Sequence, residues 1–254
     1  MEQTGKRGLS AAALKHLAIV LMVIDHACII LFRAAGYDGF WFRGHWYLTR
    51  ASFVLFAFQI AEGMVKTHDR RRYLLRLGIL AVLSEVPFDL FFSGTVFAPG
   101  RSNVFVTLFL GAASVALAEG LGEAFGIKQL LVILGGAVLA DLLGADHGAA
   151  GCLVIPAFYF LRDRPGRCFL AVALILALNR VLLQLSAALD GAVRAGELFD
   201  GMAEKVALEL HGALAFPLIA RYNGEKGKML PKPFYYLFYP AHLLLLFGLA
   251  WILF

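Results

Sequence analysis

The apolar residues of this chain neither alternate with polar ones nor trace one stripe per helix. They fall in long, nearly unbroken runs, separated by short connections rich in Gly, Pro and charged residues. A helix that crosses a bilayer needs about 20 mainly apolar residues. On that criterion nine segments are expected: Leu14–Ala34, Tyr47–Val65, Tyr73–Ser93, Asn103–Glu119, Lys128–Gly144, Gly148–Arg162, Arg167–Ala188, Lys205–Ala220 and Phe234–Phe254. The sixth and eighth are short, which leaves room for eight spans and a re-entrant piece. The first run is too long for a signal-peptide core and contains Asp25-His26, so it reads as a retained span. No soluble domain, low-complexity tract or internal repeat interrupts the pattern. Residues 1–254 are therefore expected to form one all-α polytopic membrane bundle.

Composition supports this: 60% hydrophobic and 16% charged residues, with mean hydropathy +0.75. Soluble domains average about 45–50% apolar and about 25% charged, so an ordinary soluble enzyme or a disordered chain is excluded. A porin-type barrel would alternate apolar and polar positions. The net charge of +5 would suggest nucleic acid in a soluble protein. Here the cations collect at alternate ends of the runs: Lys6, Arg7 and Lys15 first, then Lys66 to Arg76, Lys128, Arg162 to Arg167, and Arg221 to Lys232. Far fewer, such as Arg33, Arg43, Arg101 and Arg194, fall at the opposite ends. The positive-inside rule then puts the N-terminus in the cytoplasm and the C-terminus outside, with membrane lipids rather than nucleic acid as the surrounding partner. Cys28, Cys152 and Cys168 have no metal-type spacing and read as small core residues, and no metal is expected.

Against this apolar background the ionisable residues stand out, because each costs about 2.5–3.5 kcal/mol at mid-membrane. Asp25 and His26 lie some twelve positions into the first run, about 18 Å deep at ~1.5 Å per residue. With the topology above, Asp25, His26, Arg50, Glu85, Asp89, Asn103, Asp141, Asp146 and His147 share the outer half, while Arg180, His211 and His242 lie within later spans. So many at one depth suggest a polar pocket open to the outside. Adjacent helical residues do not share a face, so Asp25 and His26 should serve different partners. Glu62 precedes Lys66 in the favourable order for a helix ion pair. The Arg70-Arg71-Arg72 run reads as a topology anchor or a phosphate clamp.

Several short motifs follow in order. The first run reads Leu14-Lys15, then Ala18, Met22 and Asp25-His26; the second opens Arg50-Ala51-Ser52-Phe53 and closes Glu62-Gly63. Asn103 precedes Thr107-Leu108; Asp146-His147-Gly148 precedes Gly151; Tyr236-Leu237-Phe238-Tyr239-Pro240-Ala241-His242-Leu243 ends the set. In content and order these resemble the TraX family of membrane proteins over nearly the whole chain. Thr49 and Val54 stand where that family usually has Gly and Pro, and His147 where it has Tyr.

The resemblance implies acetyl transfer in a bacterial cytoplasmic (inner) membrane, with acetyl-CoA as donor. The acceptor would be a protein such as a pilin N-terminus, or a glycan, at the outer face. His26 matches the position where related acyltransferases carry a catalytic His. The chemistry fits the residues: His is the natural base near pH 7, with Asp25 or Asp141 to orient it. Asn103 and Arg50 are candidate oxyanion donors. Glu85, Asp146, His147, Tyr239 and His242 complete the expected substrate-binding set, and Arg70, Arg71, Arg72 and Arg76 would take the CoA phosphates. A proton-coupled transporter is the alternative, and a non-catalytic assembly factor a third.

Overall fold

A computed structural model describes residues 7–36, 40–122, 125–189, 199 and 201–253. Lys6, Arg194 and Phe254 lie outside the described residues, and the side chain of Arg43 is not described. The chain is helical, with no strand among the described residues. The helices are α1 (Ala11–Ala34), α2 (Phe40–Lys66), α3 (Arg70–Ser93), α4 (Val104–Gly120), α5 (Ile127–Leu142), α6 (Gly148–Phe160) and α7 (Pro165–Leu189). α8 (Met202–Leu210), a 3₁₀ turn (His211–Ala215), α9 (Phe216–Ala220) and α10 (Lys232–Leu253) follow.

Four helices are long and apolar enough to cross a membrane: Ala11–Ala34, Gly44–Lys66, Pro165–Leu189 and Lys232–Leu253. α3 has the length but carries four arginines and two carboxylates, and α4 and α6 are shorter apolar helices. The expected eighth span is interrupted. Pro217 has no N–H to continue the helical ladder, and the residues before it tighten into the 3₁₀ turn.

α2 is the central helix. Val54, Leu55, Ala57 and Met64 are fully enclosed, in one core with Val115 of α4, Ile155 of α6 and Val172 of α7. α1 packs antiparallel on it: Ser52 donates to the Ala18 carbonyl at 2.8 Å, and Thr49 meets Asp25 further along. The outer surface is apolar as well, through Ile24, Val82, Leu131, Leu174, Leu245 and Trp251. Water would not tolerate a patch of that extent, but hydrocarbon does. This is a membrane protein.

The helix ends are satisfied locally, as backbone without water requires. At the start of α1 the N–H groups of Ala11 and Ala12 donate to the carbonyls of Glu225 and Lys226, and that of Ala13 to the Ser10 hydroxyl. The Leu9–Tyr222 bridge fastens this segment to the loop before α10. A second bridge, Ser102–Ala145, holds the turn that leads into α6.

That turn accounts for two motif glycines. Gly148 has φ +48°, and a Cβ there would meet Asp141 Oδ1 at 2.4 Å. A Cβ on Gly151 would lie 2.7 Å from His147 Cβ, 2.7 Å from Thr107 Cγ2 and 2.9 Å from Phe53 Cζ. Only a bare Cα lets α6 seat against α2 and α4 here.

Gly151→Ala should therefore destabilise the fold by about 1–3 kcal/mol, the usual range for overpacking, read as a lower unfolding midpoint in detergent. Gly135, whose Cβ direction is open, is the control: Gly135→Ala should leave the midpoint unchanged or raise it, since Ala is the better helix former.

Candidate functional site

The centre of the candidate site is a pair of histidines on the first and last helices. His26 of α1 and His242 of α10 are both buried. Their rings stack with centroids 5.1 Å apart, and His26 Nδ1 lies 2.8 Å from His242 Nε2. His242 Nδ1 lies 3.0 Å from the Phe238 carbonyl. A carbonyl only accepts, so His242 must carry its proton on Nδ1. With both rings neutral, His242 Nε2 is then an acceptor and His26 Nδ1 its donor. The lone pair of His26 is left on Nε2.

Aromatic rings surround the pair. Phe91 and Phe92 of α3 stand 5.3 and 6.0 Å from the His26 ring, and Tyr239 stands 6.3 Å away. Tyr239 is buried against Phe105. Asp25, Asp146 and His147 lie within electrostatic reach of His26, and Asp146 and Glu85 within reach of Tyr239.

Asp25 faces α2, as the helical offset from His26 requires. It accepts from Thr49 at 2.6 Å and lies 3.3 Å from His45 Nε2. The residue that orients His26 is thus His242, and neither Asp25 nor Asp141 hydrogen-bonds to it. Asp141 accepts from the Ala149 N–H at 2.6 Å, capping α6. His45 and Thr49 carried no weight in the sequence reading. Their signal was the i, i+4 spacing on the helix that must return antiparallel to α1.

The expected oxyanion donors are engaged elsewhere. Asn103 is fully buried; its amide N–H groups go to the Ala81 carbonyl, at 2.7 Å, and to Glu85, while its Oδ1 caps α4 at Phe105. Arg50 lies 3.9 Å from Glu209, which Arg180 binds at 2.6 Å. Of the remaining residues, Asp146 offers its carbonyl to Thr107 and its carboxylate to His147 Nε2 at 3.8 Å. His147, the only described non-glycine with positive φ (65°), stacks on Phe53 at 3.8 Å. The polar residues do gather, but in separate pairs around the histidines rather than around one open pocket.

At the other end of the bundle, Glu62 and Lys66 pair at 3.1 Å, and Lys66 also binds Tyr222 and the Gly224 carbonyl. The arginine run divides. Arg70 joins Glu119 and Tyr159, tying α3 to α4 and α6. Arg72 pairs with Asp69 at 3.0 Å, and Arg76 sits 5.9 Å over the Tyr73 ring. Arg71 has no ion-pair partner among the described residues and lines an open depression with Thr67, His68, Asp69 and Arg70. Of the four, Arg71 and Arg76 make no ion pair among the described residues. No group of three or more metal-type ligands occurs among the described residues.

No curated protein and no solved structure matches the chain. The chain does match a family description, that of the TraX protein, over residues 10–250. On that near-complete match the chain belongs to the TraX family.

Proposed function

We propose that the chain is a membrane-embedded acetyltransferase that moves an acetyl group from acetyl-CoA to an amine or hydroxyl of an acceptor protein or glycan. The observation that carries this reading is the relay from the Phe238 carbonyl through His242 to His26, which leaves a base nitrogen in a buried aromatic setting. Family membership supports the same chemistry. In the proposed step, His26 Nε2 takes the proton of the acceptor amine or hydroxyl as that atom attacks the thioester carbonyl. The tetrahedral intermediate then collapses, the C–S bond breaks, and the CoA thiolate recovers the proton from His26. The Tyr239 hydroxyl is the donor we assign to the oxyanion, because its buried ring stands beside that of His26.

We further infer nine crossings with the N-terminus in the cytoplasm of a bacterium, the interrupted α8–α9 segment serving as the eighth. α1 and α10 run parallel, since His16 meets Tyr235 and His26 meets His242 in the same order. First and last crossings are parallel whenever their number is odd. The donor's phosphates would then lie at the cytoplasmic end, beside Arg71, and the acceptor at the opposite end. A proton-coupled transporter built around paired broken helices is less well supported, because the interrupted segment has no counterpart among the described residues.

Loss of the base defines the first test. His26→Ala should lower acetyl-CoA-dependent turnover by about 10²–10⁴, the range for general-base catalysis, with CoA binding retained. His242 acts through His26, so His242→Ala should lower turnover while His242→Gln, whose amide oxygen can still accept from Nδ1, recovers part of it. Full activity of His26→Ala, or equal loss in both His242 variants, would count against the mechanism.

A separate check concerns the oxyanion. Tyr239→Phe keeps the ring and removes the donor, and should cost about 10²–10³ in kcat with little change in KM for the donor. An unchanged kcat would remove Tyr239 from the reaction.

A further inference from the structure

Beyond the histidine pair, the seam between α1 and α10 opens into a cleft. Ile30 lies one turn past His26 on α1, and Phe247 lies five residues past His242 on α10. Phe91, Phe92 and the end of α3 form the third wall of a cavity of about 260 Å³. The walls are nearly all side-chain hydrocarbon. The same two phenylalanines line the His26 ring, so the cleft continues the site outward along the bundle.

One arginine lines it, and a second lies over the ring of Phe92, one of its walls. Arg33 lines the cleft and donates to the Phe92 carbonyl at 2.9 Å. The Arg101 guanidinium lies 5.1 Å over the Phe92 ring and 5.7 Å over that of Phe88. Both are exposed, and neither has an acidic partner among the described residues. The nearest carboxylate on α3, Asp89, is buried and accepts from the Ala98 N–H at 3.0 Å. Arg33 also sits in the last turn of α1, where the helix dipole adds no positive charge of its own and favours a cation. The pattern is an apolar slot with uncompensated positive charge at one end.

We propose that this cleft is a binding site for an anionic phospholipid, one acyl chain lying between α1, α3 and α10 and the phosphate meeting Arg33 and Arg101. An acyl chain suits the slot better than a peptide does. A peptide backbone brings N–H and C=O groups that need partners, and the apolar walls offer almost none. A zwitterionic lipid has the same chain, but its ammonium group offsets the attraction of its phosphate for the arginines. The proposal stands on the cleft and its charges and does not depend on the acetyl-transfer reading.

The test is native mass spectrometry of the full chain released from detergent micelles doped with phosphatidylglycerol or phosphatidylcholine of the same chain length. The wild type should retain phosphatidylglycerol in preference to phosphatidylcholine. Each arginine near an anionic surface is worth about fivefold in binding, so Arg33→Gln and Arg101→Gln should each reduce the preference about that much, and Arg33→Lys should keep it. Ala34 lines the cleft from an exposed position, so Ala34→Trp should exclude both lipids without disturbing the core. Equal retention of the two lipids by the wild type, or unchanged retention in Ala34→Trp, would overturn the proposal. Neither result would bear on His26-dependent turnover, so the two readings fail separately.

Discussion

A polar group inside a bilayer has no water to turn to, and that constraint governs how this chain spends its polar residues. Asn103 shows it most fully. Buried within the bundle, it caps α4 with its oxygen and gives its amide protons to Ala81 and Glu85 of α3, so one side chain ties the two helices together. Asp25 with Thr49, Arg180 with Glu209, and Arg70 with Glu119 and Tyr159 repeat the arrangement between other helices. Each pair is also a register mark, because a slipped helix would leave both partners unsatisfied in hydrocarbon.

Against that background the His26–His242 contact is different in kind. The other pairs join a donor directly to a carboxylate. Here the chain of hydrogen bonds starts at the Phe238 carbonyl and runs through two imidazoles to a nitrogen that still carries a lone pair. A side chain so placed is held in one tautomer by its neighbour while its reactive atom stays uncommitted. That is the arrangement expected of a base, and it is why the proposed reaction centres on this nitrogen rather than on any nearby carboxylate.

The glycines and arginines of the family motifs divide along the same line. Gly148 and Gly151 serve the packing of α6 on its neighbours, and they position Asp146 and His147 beside the site without entering it. Of the basic run at the start of α3, Arg70 is a strut between helices, whereas Arg71 lines an open depression with Thr67, His68 and Asp69. Motif membership alone does not separate these roles; the partner of each side chain does.

Much of the architecture was legible in the sequence, because hydropathy depends on composition within a window and needs no knowledge of neighbours. The long apolar runs announced a helical membrane protein, the ordered motifs announced the family, and the i, i+4 rule placed Asp25 and His26 on different faces. The Glu62–Lys66 pair was readable for the same local reason. Two hundred and more residues of intervening chain separate His26 from His242, and no local rule reports that α10 returns beside α1. The sequence therefore supplied the list of buried polar residues, but only the packed bundle decided which of them meet. It turned Asn103, Arg50 and Asp141 toward caps and ion pairs, broke the eighth run at Pro217, and gave the orienting contact on His26 to a histidine. The physical reason is that satisfaction of a polar group in hydrocarbon is a property of pairs, and pairs across helices are made by tertiary structure.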